Sequence, residues 1–250
     1  MSAYRTGSVV SRADTTTEHV YSLLRTRIVS GDLPQGTQHS VYRLAAEFGV
    51  SRTPVREAVL RLADAGLVTI EKNRGITING TTLRDVREIS EFRLVIEVPA
   101  AAYAARTGGD DLDARLRAEL DGARAAIVGN DAVHVDAHDR RFHQLIVETL
   151  GNPRVTRSLA ALRDAARLGW TAAPDDATRL DHEHREILSA IERRDPEAAA
   201  AEMERHILRT GTLQQERLLG HPRDMGWQRR LHDHIRAGAA HPERRARLPW

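Results

Sequence analysis

Asp139, His143, His184 and His206 are the residues of this 250-residue chain best suited by type and spacing to hold a metal ion. Asp139 and His143 are four apart, so they are neighbours on one helical face. Val135, Phe142, Ile146 and Leu150 mark an apolar face, and both residues fall on it. Leu180, Ile187, Leu188 and Ile191 mark a second face, which includes His184 and leaves His182 pointing away. Ala199, Met203, Thr210 and Leu213 mark a third, with His206 among them. A lone His on such a face is usually a satisfied core residue or meets a partner. Three of them and a carboxylate are costly to bury separately. A bound cation removes that cost by making all four into ligands. This donor set suits Zn²⁺, and also Ni²⁺ or Mn²⁺ where water or a ligand completes an octahedron. Spacing alone leaves a metal centre and a group of ordinary core histidines both open.

A second chemistry is carried by Arg52, Thr53 and Arg56. Val55, Ala58, Val59 and Leu62 define the buried stripe of a short helix, and these three polar residues fall off it in the first turns. Two guanidinium groups and a hydroxyl at a helix N-terminus suit end-on entry into a DNA major groove. A solvated basic face is the bland alternative, and the neighbouring elements decide against it. Ser51 is placed to cap this helix through its hydroxyl, and Pro54 falls in the first turn, where no backbone donor is lost. A short helix over 41–48 precedes it, with Ser40 as its cap and Gly49 at the turn, giving a helix-turn-helix. Gly66 ends the second helix. Residues 67–71 and 76–78 then read as two β-branched strands joined by Lys72-Asn73-Arg74-Gly75. A helix-turn-helix followed by a basic-tipped hairpin is a winged helix.

Charge is distributed unevenly. Residues 1–80 carry 10 Lys/Arg against 7 Asp/Glu, residues 81–220 carry 20 against 25, and residues 221–250 carry 7 against 3. The basic regions are therefore the winged helix and the tail, as expected where one end of the chain meets nucleic acid. There is no cysteine, which excludes disulfides and thiolate metal sites. No apolar run approaches a membrane span and no signal-type segment opens the chain, so a soluble cytoplasmic protein is the default expectation.

The run Ile28-Val29-Ser30-Gly31-Asp32-Leu33-Pro34-Gln35-Gly36, then Leu44-Ala45, the stretch from Val50 to Val68 and Arg74-Gly75 together resemble the N-terminal domain of the GntR family of bacterial transcription regulators. The match covers roughly residues 18–79. The resemblance implies that Ser51, Arg52, Arg56 and the wing tip Lys72 to Gly75 meet DNA. Where the family usually has Leu-x-Glu after Pro-x-Gly, this chain has His39-Ser40-Val41, so no contact is carried over to Tyr42 or Arg43.

The rest of the chain reads as helices. The pattern predicts a long helix over about 83–107, capped by Thr82 with Asp85 and bent at Pro99. Further helices are expected over about 110–128, 131–150, 154–170, 176–193 and 196–217. The expected fold is mainly α: a winged helix-turn-helix of three helices and a β-hairpin, joined to an antiparallel bundle of about six helices. Residues 1–14 are expected to be a flexible leader, 15–80 the winged domain, 81–219 the bundle and 220–250 a disordered basic tail. Within the bundle, Asp139 to His143, Gly151-Asn152, Glu183 to Leu188 and Met203 to His206 resemble the FCD effector domain of the FadR subfamily of GntR regulators. That resemblance implies a metal on Asp139, His143, His184 and His206, with a small carboxylate beside it, and places Arg93 at the effector pocket. An ion pair of Arg93 with Glu97 or Asp139 is the structural alternative. Asn152 is read as a helix cap, and His134, His138 and His182 as surface residues.

The expected function is that of a ligand-responsive DNA-binding regulator, a repressor acting as a homodimer on a pseudo-palindromic double-stranded operator. The rivals are a metal-dependent hydrolase and a regulator whose metal is purely structural. The hydrolase reading lacks a further acid or base on the metal-bearing face, because Glu183 and Glu186 read as exposed, and it leaves the winged helix unexplained.

Overall fold

The computed structural model describes residues 12–72, 74–166 and 174–220. Most of the expected leader, the tail beyond Gly220, Asn73 at the wing tip and the end of the 154–170 helix lie outside the described residues. The chain runs α1 (Arg12–Val29), β1 (Gln38–His39), α2 (Val41–Glu47), α3 (Arg52–Asp64), β2 (Val68–Glu71) and β3 (Gly75–Ile78). It continues with α4 (Leu83–Thr107), α5 (Asp110–Val128), α6 (Ala132–Glu148), α7 (Pro153–Ala166), α8 (Pro174–Glu192) and α9 (Pro196–Leu219).

The first six elements close around one apolar core. Leu24 and Ile28 of α1, Leu44 of α2, Val55 and Leu62 of α3, and Ile76 of β3 are all buried within it. Val55, Ala58, Val59 and Leu62 form the buried stripe of α3, as their spacing predicts. The sheet has one strand more than the expected hairpin. Its order is β1-β3-β2, all antiparallel, with His39 opposite Ile76 and Ile70 opposite Ile76 on the other side. Two residues are too short a signal for period-two alternation to reveal β1. Gly75 is required where β1 crosses: its φ is +97°, and a Cβ there would lie 2.2 Å from the His39 carbonyl oxygen. Gly49, at φ +65°, makes the turn between α2 and α3.

Two expected caps are not made. Ser40 and Ser51 occupy the N-cap positions of α2 and α3 with extended backbone, but neither hydroxyl accepts a cap hydrogen bond. The Ser51 hydroxyl is thus not engaged in capping its own helix. At α4 the expected box is complete: Thr82 accepts from the Asp85 backbone N–H, and the Asp85 carboxylate accepts from the Thr82 backbone N–H.

The six helices from α4 onward enclose the second core, in which Leu116 of α5, Phe142 and Ile146 of α6, Ile187 of α8 and Met203 of α9 are fully buried. Helix α4 continues through Pro99 to Thr107. Helices α4 and α9 approach closely because Gly211 presents no side chain: a Cβ there would sit 2.7 Å from Ser90 Oγ. A similar contact joins α5 and α6, where the ring of His138 covers Gly122. Asp195 caps α9, and Gly220 ends it in the left-handed conformation. On α9 the buried stripe passes through Thr210, Gly211 and Gln214, leaving Leu213 half-buried rather than central. Among the described residues no helix is long and apolar enough to cross a membrane.

Candidate metal centre and nucleic-acid interface

Three helices bring the expected cluster together. Asp139 and His143 come from α6, His184 from α8 and His206 from α9, and all four are buried. His143 Nε2 lies 3.1 Å from His184 Nε2, which lies 3.3 Å from His206 Nε2. Asp139 Oδ1 is 3.4 Å from His184 Nε2 and 3.9 Å from His143 Nε2. His182 points away as expected, with 74% of its side chain exposed.

The other ring nitrogens show what this arrangement demands. His206 Nδ1 is hydrogen-bonded to Glu183 Oε2 at 3.1 Å, and His143 Nδ1 is in contact with Glu97 Oε2. A carboxylate at Nδ1 holds the proton there and leaves Nε2 as a bare lone pair. His143 and His206 then both aim lone pairs at His184 Nε2, and a single proton on that atom can satisfy only one of them. A cation at the centre satisfies all three, and carboxylate support of a ligating imidazole is the usual companion of such a site. The spacing also fits. A tetrahedral ion with bonds of about 2.0–2.1 Å has ligand–ligand edges of about 3.3–3.4 Å, and an octahedral one of about 2.9–3.0 Å. The two nitrogen separations fall within this span, as does Asp139 Oδ1 to His184 Nε2, whereas Asp139 Oδ1 to His143 Nε2 is longer at 3.9 Å; the three imidazoles thus fit a divalent ion, and Asp139 is placed to join them by a small approach.

Electrostatics points the same way. Burial, followed by the Arg163 guanidinium, lowers the His143 pKa from 6.5 to about 4. Burial is also the main cause that pushes His184 and His206 well below the usual imidazole range, joined by the neighbouring His206 for the first and His143 for the second. All three imidazoles are therefore neutral at neutral pH, the form that ligates. Burial on its own would raise Glu97, but Arg93, His143 and Arg163 together hold it well below the ordinary carboxylate range.

Arg93 makes the ion pair that was its structural alternative. Its Nε donates to Glu97 Oε1 at 2.6 Å, and the side chain lines a cavity of about 10 Å³ with Asp139, Arg163, Leu180, His206, Thr210 and Gln214. Arg163 and Glu183 are functional neighbours that spacing does not assign to the site. Arg163 Nη2 donates to Asp139 Oδ2 at 2.6 Å, and Nη1 reaches both oxygens of Glu97 at 3.3 and 3.4 Å. A signal for it exists, since it falls four residues after Leu159 and eight after Val155, on the apolar stripe of α7. Glu183 departs from the expectation of an exposed residue. Its side chain is only 12% exposed, held between His206 and Arg209. His138 is likewise not a free surface residue: it is half-buried and bonded to Glu119 at 2.8 Å. His134 is exposed, and Asn152 caps α7 by accepting from the backbone N–H of Arg154.

The nucleic-acid-facing candidates lie on the surface of the first core. Ser51, Arg52, Thr53 and Arg56 are exposed at the start of α3, and Lys72 and Arg74 are exposed on the wing. The arginines of this region fall into two groups. Arg27 is paired with Glu47, and Arg61 is paired with Glu18 and stacked on Tyr21. Among the described residues Arg52, Arg56, Lys72 and Arg74 have no ion-pair partner. Glu71, the carboxylate nearest the wing tip, is occupied by Gln38 and Thr77. Among the described residues of this unit Arg43, exposed on α2, is likewise without an ion-pair partner, so the unpaired cations lie on α2, at the start of α3 and on the wing; groups of this kind suit phosphates and guanine edges.

Residues 16–78 match the model of the bacterial regulatory proteins of the gntR family, and residues 88–209 match that of the FCD domain. The chain is 30% identical over 193 residues to the HTH-type transcriptional repressor RspR of Escherichia coli (strain K12), covering 76% of this chain and 85% of that protein. It is 36% identical over 129 residues to the gluconate operon transcriptional repressor of Bacillus licheniformis, covering 52% of this chain and 53% of that protein. Among solved structures, Escherichia coli McbR/YncC superposes with a TM-score of 0.73 at 21% identity, covering 81% of this chain and 98% of that one. A putative transcriptional regulator GntR from Rhodococcus sp. RHA1 gives 0.67 at 25% identity, covering 84% and 100%.

Proposed function

For a chain that belongs to the GntR family, with a DNA-binding helix-turn-helix domain followed by an FCD domain, we propose the role of a cytoplasmic, ligand-responsive transcriptional repressor. Residues 15–80 read DNA, and residues 81–219 bind a divalent metal and a small carboxylate effector and hold two copies together as a homodimer. Two winged helices related by a two-fold axis then read the half-sites of a pseudo-palindromic operator. The observation that carries the reading is the convergence of three Nε2 atoms and Asp139 Oδ1, two of the rings being backed by carboxylates. When bound, the metal supplies a Lewis-acidic point to which a carboxylate oxygen is attracted. Arg93 supplies the complementary guanidinium from α4, and burial of the cluster excludes water from competing.

The candidate DNA contacts are Ser51, Arg52, Thr53, Arg56, Lys72, Arg74 and Gly75, with Arg52 and Arg56 as the groups placed to read bases. A hydrolase finds less support: Glu183 is bonded to His206 and paired with Arg209, which leaves it no role as a mobile acid or base, and the relatives are named as regulators. A buried Nη2 of Arg93 and a buried Nε of Arg163 that meet no protein acceptor favour a ligand beside the cluster over a purely structural metal. The test is operator binding by Zn²⁺-loaded protein on a DNA fragment selected from a random pool, titrated with small carboxylates. One of them should change the dissociation constant by about 5- to 150-fold, the usual span of a coupling of about 1–3 kcal/mol. Operator affinity indifferent to every carboxylate would leave the regulator without the proposed effector.

A further inference from the structure

A cavity of about 420 Å³ lies between the winged unit and the bundle, away from the histidine cluster. One wall is a single face of α1, where Tyr21, Arg25, Thr26 and Val29 follow three- and four-residue spacing. The other is the corner where α5 turns into α6, with Ile127, Val135 and Asp136. It shares no lining residue with the small cavity beside the histidines. The two walls are joined by Arg25 and Asp136, which are 6% and 9% exposed and lie 3.6 Å apart from Nη2 to Oδ2. An apolar cavity of about 150 Å³ holds benzene, and small-molecule sites run from about 300 to 1,000 Å³, so this space has the size of a binding site.

The lining sets the charge of what fits. Three carboxylates, Glu18, Asp131 and Asp136, are set against three guanidiniums, Arg25, Arg61 and Arg140. Glu18 pairs with Arg61 at 2.7 Å, and Asp136 lies 3.6 Å from Arg25 and 3.9 Å from Arg140. Asp131 caps α6 and is bonded to His134 at 2.6 Å. With its charges already matched among the described residues, the cavity gives an ionic guest no spare counter-charge to offset desolvation. The remaining lining is mostly aliphatic, with Tyr21 as its one aromatic ring and Ser22 and Thr26 as hydroxyl-bearing residues one turn apart on α1. A guest suited to it is uncharged and largely apolar, with one or two hydrogen-bonding groups.

The rim of the cavity touches α3. Arg61 lies over the ring of Tyr21, its guanidinium carbon 4.1 Å from the ring centroid, and Glu18 holds the same guanidinium. One turn before Tyr21, the Thr17 hydroxyl donates to Glu57 Oε2 of α3 at 2.7 Å. We propose that the cavity is a second small-molecule site, for an uncharged and largely apolar molecule of about the size of two fused rings bearing a hydroxyl or amide, and that its occupancy is passed to α3 through Tyr21, Glu18 and Arg61. The inference goes beyond the metal-centre reading and stands whether or not that centre is filled. A guest held between α1 and the α5–α6 corner favours the arrangement of winged unit and bundle that fits it better, and shifts the equilibrium by that difference in affinity.

The experiment is calorimetric titration of the full-length chain with 2-naphthol and with 2-naphthoate, which share a ring system and are uncharged and anionic at neutral pH. 2-Naphthol should bind at least about tenfold tighter, as expected where a buried charge finds no partner. Ser22→Trp and Val133→Trp fill the cavity from opposite walls at exposed positions. Each should weaken 2-naphthol binding at least about tenfold at an unchanged Tm, because the space is taken. 2-Naphthol should also change operator affinity at least about fivefold, and Arg61→Gln should keep the binding while shrinking that change. No binding of 2-naphthol, an equal affinity for 2-naphthoate, or binding unchanged in both folded variants would overturn the site. Binding that leaves operator affinity unaltered, or a change that survives Arg61→Gln in full, would overturn the link to α3. Chelator-treated protein keeps the two sites apart: 2-naphthol binding retained without metal supports the inference, and binding lost with the metal would place the molecule at the histidine cluster and overturn it.

Discussion

Arg163 Nη2 holds Asp139 Oδ2 at 2.6 Å, while the other oxygen of the same carboxylate lies 3.4 Å from His184 Nε2. Asp139 therefore divides its two oxygens between a guanidinium on α7 and the histidine cluster. A carboxylate pinned in this way has one oxygen left to offer the cluster.

Loss of a histidine from the cluster should lower metal content, and loss of its neighbour should not. Purified protein should hold about one divalent ion per chain, the number a single four-ligand site accepts. His184→Ala and His206→Ala should each reduce occupancy sharply, whereas His182→Ala should leave it unchanged, because His182 is exposed on the opposite side of α8. Metal analysis by mass spectrometry decides. Equal content in the wild type and in the His184 and His206 variants would remove the site.

Metal-free protein should lose stability as pH falls from neutral. The His143 pKa is lowered to about 4 in the folded chain from an ordinary 6.5, and His184 and His206 shift in the same direction. Between those values the unfolded chain takes up protons that the folded chain refuses, so stability is present above about pH 6.5 and falls on the acid side. The limiting slope is about 1.4 kcal/mol per pH unit for each histidine. Glu97, held low in the folded state, adds a further loss below its ordinary range, with the same sign. Thermal melts of chelator-treated protein from pH 7.5 to 4.5 should show Tm falling, and His143→Gln should flatten part of the slope. A flat profile in the wild type would contradict the burial of neutral histidines.

Arg56→Ala should weaken operator binding without unfolding the chain, since Arg56 is exposed and α3 is anchored by Val55, Val59 and Leu62. If Arg56 reads a guanine, the loss is about 1–3 kcal/mol per half-site and specificity relaxes at one position. If it holds a phosphate, affinity falls evenly across sequences and the salt dependence becomes shallower. Mobility-shift titrations at two salt concentrations separate these, and unchanged affinity removes Arg56 from the interface.

The α5–α6 seam offers a test of packing that is independent of any ligand. Gly122→Ala places a methyl 2.3 Å from a ring carbon of His138. In the wild-type background the ring must leave, breaking its bond to Glu119, and the protein should be destabilised by about 1–3 kcal/mol, as for other overpacked contacts. In a His138→Ala background the same change should stabilise, by up to about 1 kcal/mol, because alanine is the better helix former. Denaturant midpoints of the four proteins give the coupling, and additivity of the two changes would show that the contact is not tight.

The elements that carry periodic signals are legible in the sequence alone. The stripe of α3, the break at Gly108 and Gly109, the capping box of Thr82 and Asp85, and the shared faces of His143, His184 and His206 all follow from spacing and turn chemistry. What spacing does not show is set by long-range packing. The two residues of β1 become a strand because β3 runs beside them. Ser51 is legible as an N-cap position, but no periodicity says whether its hydroxyl makes the bond. Glu183 and Arg163 show the same limit inside the bundle. Helical phase puts Glu183 on the solvent side of α8, because phase alone does not reveal where α9 covers it. Arg163 is a charge on an apolar stripe, a pattern whose meaning depends on Asp139 and Glu97 being across from it.

Helix α6 is fastened at two points along one face. Asp136 meets α1 of the winged domain, where Arg25 Nη2 lies 3.6 Å from its carboxylate. Asp139 and His143, three and seven residues further on and so on the same face, enter the cluster. A helix is stiff against twisting over so short a span, so a small roll that changed the fit of Asp139 and His143 would carry Asp136 with it against Arg25. Under the proposed regulator reading, a ligand at the cluster would reach the winged domain as an angle rather than a displacement.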